Sequence, residues 1–109
     1  RSAIFAYLGF VSLHAVFIHA NFAPTSAWLE RWIAMPRFHH WHHGIEDEAR
    51  DRNFAVHLPM IDRWFGTHHL PPERWPSGYG VSGVKAPDGY VSQHIWPFRS
   101  DRPSLTEAD

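Results

Sequence analysis

The sequence predicts a mainly helical protein in which a membrane helix and short amphipathic helices carry a histidine cluster, followed by a loop-rich C-terminal tail. Three observations support this fold class. Residues 3–22 are almost entirely apolar, four of the 10 histidines fall within residues 39–43, and proline and glycine recur after residue 68. A chain of 109 residues is long enough for one small domain with a single core.

The first apolar segment, residues 3–22, is compatible with two structures. About 20 apolar residues are needed to span a bilayer, and this segment also contains His14, His19 and Asn21. It is either a buried helix of a soluble protein or a transmembrane helix whose last turns carry polar groups to the membrane surface. Ionisable residues inside a membrane are costly and usually functional. The residues alone leave both alternatives open.

A second, amphipathic helix is expected over residues 27–35. Thr25 or Ser26 can cap its first turn, and its apolar residues recur at helical spacing. Such a helix either faces a core or lies in a membrane interface. Trp28 and Trp32 favour the interface, where amphipathic rings are enriched.

The histidine cluster occupies one side of a third helix. At about 100° per residue, His39, His42 and His43 share one face, whereas Trp41 points the opposite way and His40 lies at the edge. Three imidazoles on one helical face can converge on a metal, and imidazole binds iron, zinc, copper and nickel. The internal position of this cluster distinguishes it from a purification tag, and its flanking apolar residues make a purely solvated stretch the weaker alternative.

Proline and glycine mark the ends of several predicted helices. Pro36 lacks the N–H that would stay unpaired in a first turn, so it can begin the histidine helix, and Gly44 can end it. Pro59 similarly begins a short helix that ends near Gly66. Residues 89–96 can form one further helical turn. The remainder of the C-terminal part is expected to be loops.

Composition excludes several classes of function. The net charge is −1 with histidine neutral, so nothing favours nucleic acid as a partner. The absence of cysteine excludes disulfides and thiolate metal sites. No Glu-x-x-His motif of soluble di-iron bundles is present. The residue after His39 is His40 rather than Glu, which excludes the His-Glu-x-x-His motif of zinc proteases.

Several motifs occur in a specific order along almost the whole chain. They are His19-Ala-Asn21, His39-x-x-His42-His43, Asn53-Phe54, Asp62-Arg-Trp-Phe-Gly-Thr67, Trp75-Pro76 and Tyr79-Gly80. In this combination they resemble the C-terminal half of the fatty acid hydroxylase/sterol desaturase superfamily. One departure is Ala55, which stands where members often carry glycine.

The resemblance implies an integral membrane enzyme whose active site faces the cytoplasm. Members hold two iron ions with histidines from several boxes, and zinc is expected to substitute in isolated protein. They use O₂ and electrons from a redox protein to hydroxylate or desaturate a lipid, such as a fatty acyl chain or a sterol. The alternatives from other classes are a non-catalytic histidine-rich metal-binding module and a zinc-dependent hydrolase.

The resemblance also assigns the metal ligands. They are His19, His39, His42 and His43, with His14 as a further candidate. Helical geometry places His14 about 140° from His19 around the helix axis, so the two need not face the same metal.

Other residues are expected around the metal ligands. A metal-bound histidine usually donates its second N–H to a carboxylate or carbonyl, and Asp62 is a candidate acceptor. Asn53 and His57 are further candidates for supporting roles. By contrast, His68 and His69 precede a Pro-Pro turn and are expected to lie outside the metal site.

Residues 1–99 are accordingly interpreted as the C-terminal part of a catalytic domain whose upstream half is absent, and residues 100–109 as a flexible tail. The family's first two histidine boxes are expected upstream. We therefore expect this chain to hold about half of a di-metal site and to be inactive by itself.

Overall fold

The computed structural model describes residues 1–22, 26–81 and 87–99. Its helices are α1 Ser2–Ile18, α2 Leu29–Trp32, α3 Pro36–His42, a 3-10 helix Asp47–Ala49, α4 Met60–Phe65, α5 Tyr90–Ile95 and a 3-10 helix Trp96–Phe98. The described residues form no β-strand, and their isolated bridge is antiparallel, between Gly44 and Tyr79. The mainly helical prediction is confirmed. The chain divides into two compact units, Arg1–Tyr79 and Gly80–Asp109.

Most predicted helix ends are confirmed. α3 begins at Pro36 and is capped by His43, directly before Gly44. α4 follows Pro59 and ends at Gly66, whose φ of 74° lies in the left-handed region that glycine adopts without a steric penalty. The second unit contains the predicted turn as α5. The expectation of a flexible tail concerns residues 100–109, which lie outside the described residues.

The predicted helix over residues 27–35 is much shorter than expected. Only Leu29–Trp32 is helical, and the Ser26 hydroxyl accepts the Leu29 N–H at 3.4 Å. Ile33 is extended, with φ −129° and ψ 141°. Met35 is also extended, because a residue that precedes proline avoids the helical region. Thr25, the other proposed cap, lies outside the described residues.

The first helix corrects the prediction of a membrane-spanning segment. α1 contains 17 residues, which corresponds to a length of about 26 Å. Within the described part of the chain, no helix combines the length and apolar character needed to cross a membrane. Apolar side chains are exposed along much of α1, as at Phe5, Leu13 and Val16, whereas His14 and Ile18 are buried.

A small core joins the end of α1 to α3. Ile18 and Phe38 are each 1% exposed and pack with Ala34, which is fully buried. Phe17 and Leu70 cover this cluster from the side. The contact lies one residue from His19 and one residue from His39, so the core determines how these two histidines meet.

An ion pair ties α2 to α3. The Arg37 guanidinium donates to both carboxylate oxygens of Glu30 at 3.3 Å and to the Pro71 carbonyl at 2.8 Å. Both charged side chains are largely buried, at 18% and 13% exposure. Removal of either partner would leave the other charge poorly solvated, so this pair constrains where α3 begins.

The buried Asn53 side chain fastens a loop to α3. Its amide nitrogen donates to the carbonyls of Phe38 and His69 at 2.8 and 2.7 Å, and its oxygen accepts the His69 N–H at 2.7 Å. Asn53 has a φ of 55°, in the left-handed region that asparagine tolerates better than most residues. Both its conformation and its hydrogen bonds therefore favour asparagine here.

The buried Asp62 carboxylate holds the same loop to α4. It accepts the N–H groups of Phe54 and Ala55, each at 2.9 Å, and the Thr67 hydroxyl. The Asp62 carbonyl accepts the N–H of Thr67 at 2.8 Å. Asp62 is 2% exposed, so these bonds replace its hydration almost completely.

We expect Asp62→Asn to destabilise the protein by about 3 kcal/mol, because an amide nitrogen would then face an N–H donor and a buried partner would be left unpaired. The free energy of unfolding, measured by urea denaturation with tryptophan fluorescence, tests this prediction. Asp47→Asn is the matched control: its side chain is 91% exposed in an ion pair with Arg50, so a change within about 0.5 kcal/mol is expected. Equal unfolding free energies for the two variants would contradict the assigned role of Asp62.

Candidate metal centre

Three histidines from two helices bring their ring nitrogens together. His39 lies on α3, His43 caps its C-terminus, and His19 caps the C-terminus of α1. The His39 Nε2 atom is 3.1 Å from His19 Nε2 and 3.1 Å from His43 Nε2. Ligand atoms of all three residues lie within 4.8 Å of one another. His39 is buried at the centre and the other two are exposed at its sides.

Main-chain carbonyls orient two of the predicted ligands. His19 Nδ1 donates to the Ala15 carbonyl at 2.7 Å, one helical turn earlier. His42 Nδ1 donates to the Arg52 carbonyl at 3.0 Å. In a neutral imidazole only one nitrogen carries hydrogen, so each of these bonds leaves a lone pair on Nε2. This is the arrangement in which metal-bound histidines are usually found.

Burial keeps the central imidazole neutral. Desolvation, followed by the neighbouring His43, His19, His42 and His40, lowers the pKa of His39 to about 3. Desolvation and neighbouring histidines also lower the pKa of His43. Neutral imidazole is the form that binds metals, so the cluster is ready to accept a cation at neutral pH.

The geometry of this trio fits a metal ion. Nitrogens bound to one ion at about 2.0–2.1 Å, at angles between octahedral and tetrahedral, lie about 2.9–3.4 Å apart. The two 3.1 Å separations fall within that range. Hydrogen bonds within the trio explain the separations less well, because His39 Nε2 cannot donate one proton to two partners. The other nitrogen of His39, Nδ1, is buried without a hydrogen-bond partner among the described residues.

His42 has a different position from its neighbours in sequence. Its ring stacks on His39 with centroids 5.6 Å apart and contacts Phe54 edge-on. It lies outside the group formed by His19, His39 and His43. The structure thus brings together three of the four predicted ligands and places His42 beside them, and no described residue forms a hydrogen bond with its Nε2.

The further candidate His14 has other partners. Its Nε2 donates to the Ala34 carbonyl at 3.0 Å, and its Nδ1 is 2.9 Å from His57 Nδ1. The Ala34 N–H in turn donates to the His57 carbonyl at 2.8 Å. Both nitrogens of His14 are therefore engaged away from the trio, and His57 contacts His14 rather than a member of the trio.

The remaining candidates support the site indirectly. Asp62 accepts main-chain and hydroxyl donors, and no imidazole of the described residues donates to it. Asn53 bonds the Phe38 carbonyl, next to His39. His68 packs against Phe38 and His69 against Trp41, and neither belongs to the trio.

Sequence reasoning missed two residues beside the site. His40 donates to or accepts from the Tyr79 hydroxyl at 2.8 Å. The Tyr79-Gly80 motif drew attention to Tyr79 as part of the family resemblance. Nothing in the sequence indicates that Tyr79 contacts His40, which lies 39 residues earlier. The carbonyls of Ala15 and Arg52 leave no side-chain signal either.

Comparisons with known proteins identify the family of the chain. Residues 1–67 match the family model described as fatty acid hydroxylase. The chain is 28% identical over 96 residues to the ornithine lipid hydroxylase OlsE of Rhizobium tropici; the alignment covers 87% of this chain but only 29% of that relative. No solved structure matches the chain. Since the family match contains α1, α3 and α4 with the whole histidine trio, the chain belongs to the fatty acid hydroxylase family.

Proposed function

We propose that this chain is the metal-binding part of an iron-dependent lipid hydroxylase. The observation that carries the proposal is that the Nε2 atoms of His19 and His43 each lie 3.1 Å from His39 Nε2, with ligand atoms of all three residues within 4.8 Å of one another. These residues would hold one iron ion. His42, with its Nε2 free, would hold a second together with histidines from parts of the enzyme outside this chain.

The chemistry of the donors suits this role. Bound iron would supply the activation of O₂ that insertion of oxygen into a lipid C–H bond requires. The chain itself would keep the imidazoles neutral through burial and fix their orientation through the Ala15 and Arg52 carbonyls. The trio contains no carboxylate within the described residues, whereas zinc hydrolases of the His-Glu-x-x-His type use one as general base.

The substrate and partners follow from the same proposal. The name of the relative makes an ornithine lipid the first substrate to test. Electrons would come from a redox protein. Membrane association is proposed because apolar side chains are exposed along α1, including Phe5, Leu13 and Val16; the site would face the cytoplasm. Hydroxylation is preferred to desaturation because the relative is named a hydroxylase.

The first test measures metal binding by the 109-residue chain. We expect one Zn²⁺ or Co²⁺ per chain, and we expect His39→Ala to weaken binding by more than the roughly 10- to 100-fold typical of losing a supporting residue. Competition with a chromophoric chelator gives the affinity. His94→Ala is the control, because its ring bonds the Tyr90 carbonyl in the other unit. If the His39→Ala variant bound the metal as tightly as the parent, the proposal that the trio binds metal would be refuted.

The second test measures the reaction. In a protein extended to the full length of the relative, we expect two irons per chain and O₂-dependent hydroxylation of ornithine lipid. His39→Ala and His42→Ala should each lower iron content and abolish product, since both imidazoles are assigned to metal. Mass spectrometry of the lipid with ¹⁸O₂ reports oxygen insertion. Product that lacks ¹⁸O, or activity with zinc alone, would instead indicate a hydrolase.

The third test concerns the boundary of the site. The double substitution His68→Gln/His69→Gln should leave the metal stoichiometry unchanged, because these rings pack on Phe38 and Trp41 instead of facing the trio. Metal analysis of the purified variant beside the parent gives the answer. The loss of one metal equivalent in a variant with an unchanged circular dichroism spectrum would place these histidines in the site.

A further inference from the structure

Two histidines outside the trio form a hydrogen-bonded pair between α1 and the loop that precedes α4. His14 Nδ1 is 2.9 Å from His57 Nδ1, and His14 Nε2 is 3.0 Å from the Ala34 carbonyl oxygen. The Ala34 N–H donates to the His57 carbonyl at 2.8 Å. These three bonds close a triangle of His14, Ala34 and His57, which joins three segments of the chain.

The directions of the bonds in this triangle can be assigned. A carbonyl can only accept, so His14 Nε2 carries the hydrogen of its bond to Ala34. Burial lowers the pKa of His14; the bond to Ala34 raises it and the neighbouring His57 lowers it, both by smaller amounts. The ring is therefore neutral and Nδ1 has a lone pair. His57 Nδ1 is then the donor of the bond between the two rings.

Aromatic side chains of α1 enclose the His14 ring. Phe10 stacks on it with centroids 5.5 Å apart and planes 8° from parallel, and Phe10 also contacts His57 at 5.4 Å. Phe17 contacts His14 at 6.2 Å. His14 is 5% exposed, so a polar atom freed by breaking one of its bonds could not be hydrated in place. Such bonds are costly to lose, and the pair is therefore a firm link between α1 and the loop.

His14 shares one face of α1 with Ile18. These two are the buried residues of the helix, and since they are four residues apart they lie one above the other. Ile18 packs against Ala34 and Phe38, and apolar packing is non-directional. The hydrogen bonds of His14 are directional. They therefore fix the rotation of α1 about its axis, whereas the contact of Ile18 brings the helix close to α3.

The rotation of α1 determines where His19 points. His19 directly follows the last residue of α1, and its ring bonds the Ala15 carbonyl of the same helix, so the ring turns with the helix. Ala34, the main-chain member of the triangle, lies two residues before Pro36, where α3 begins. The triangle therefore relates the orientation of α1 to the start of the helix that carries His39.

We propose that His14 and His57 are positioning residues that set the rotation of α1, so that His19 Nε2 meets the other two members of the trio. The proposal rests on the metal centre proposed above. His57 supplies the N–H that holds the His14 ring, and His14 supplies the N–H that holds Ala34. Neither imidazole is a ligand of the metal.

Cobalt binding to the full 109-residue chain tests this role, because the visible spectrum of Co²⁺ reports the geometry of its ligands and a titration gives the affinity. His57→Leu removes the donor to His14. We expect it to weaken Co²⁺ binding about tenfold, as loss of a supporting bond commonly does, and to change the visible bands at saturating Co²⁺. His94→Leu is the matched control, since its ring bonds the Tyr90 carbonyl in the other unit.

A second variant separates the hydrogen bond from the imidazole ring. In His57→Asn the amide nitrogen takes the place of Nδ1 and can donate to His14, so the affinity and spectrum of the parent should return. Parent-like binding by His57→Leu, or equal losses in the two variants, would overturn the positioning role. Loss of the parent's circular dichroism by His57→Leu would also overturn it, because the pair would then support the fold as a whole.

The nitrogen chemical shifts of the two rings give a test that needs no metal. In ¹⁵N NMR of the metal-free parent we expect the hydrogen on Nε2 of His14 and on Nδ1 of His57. The opposite tautomer of either ring would overturn the assigned bonds. If both tautomers are as expected but the parent binds no Co²⁺, the metal centre is wrong and the positioning role is overturned with it. That result is distinct from a parent and a His57→Leu variant that bind Co²⁺ equally, which overturns the positioning role alone.

Discussion

Ile18 and Phe38 touch at the point where the end of α1 crosses the first half of α3, and each is followed in sequence by a histidine of the trio. Burial of these two side chains is favourable by about 1.5–3 kcal/mol each, and it brings the two helices together. The fully buried Ala34 permits the close approach. This contact places His19 beside α3, whereas the helical spacing of His39 and His43 could by itself supply only two of the three nitrogens.

The loop between α3 and α4 extends the same constraint to His42. Asn53 and Asp62 together satisfy several main-chain groups in a segment with almost no secondary structure. Asn53 directly follows Arg52, whose carbonyl orients the His42 ring. Asn53 and Asp62 thus affect the site indirectly, because they fix the main-chain conformation that positions the Arg52 carbonyl. Their side chains touch no imidazole nitrogen of the trio, which is a different role from the one expected for Asp62 from its position in the sequence.

The features that the sequence could predict are local. Pro36, Pro59 and Gly66 set helix ends through their own backbone preferences, and the spacing of His39 and His43 places them on one face. The role of His19 came only from the resemblance to a family, because its meeting with α3 is a tertiary contact. The same holds for the His14–His57 pair and for His40 with Tyr79. α2 was overestimated because amphipathic spacing cannot reveal that the extended residues before Pro36 pair with His57.

The carbonyls that orient His19 and His42 belong to Ala15 and Arg52, and every amino acid supplies an identical carbonyl. The amino acids at positions 15 and 52 can therefore be replaced without loss of the orienting bonds, provided that the backbone conformation is unchanged. Position 15 needs only a helical residue, whereas the Arg52 side chain also donates to the Gly66 carbonyl at 3.0 Å. Neither position should be invariant among relatives, although both determine which nitrogen of a ligand is free. The two orienting bonds are thus independent of the side chains at positions 15 and 52, whereas the path of the main chain depends on the Asn53 side chain.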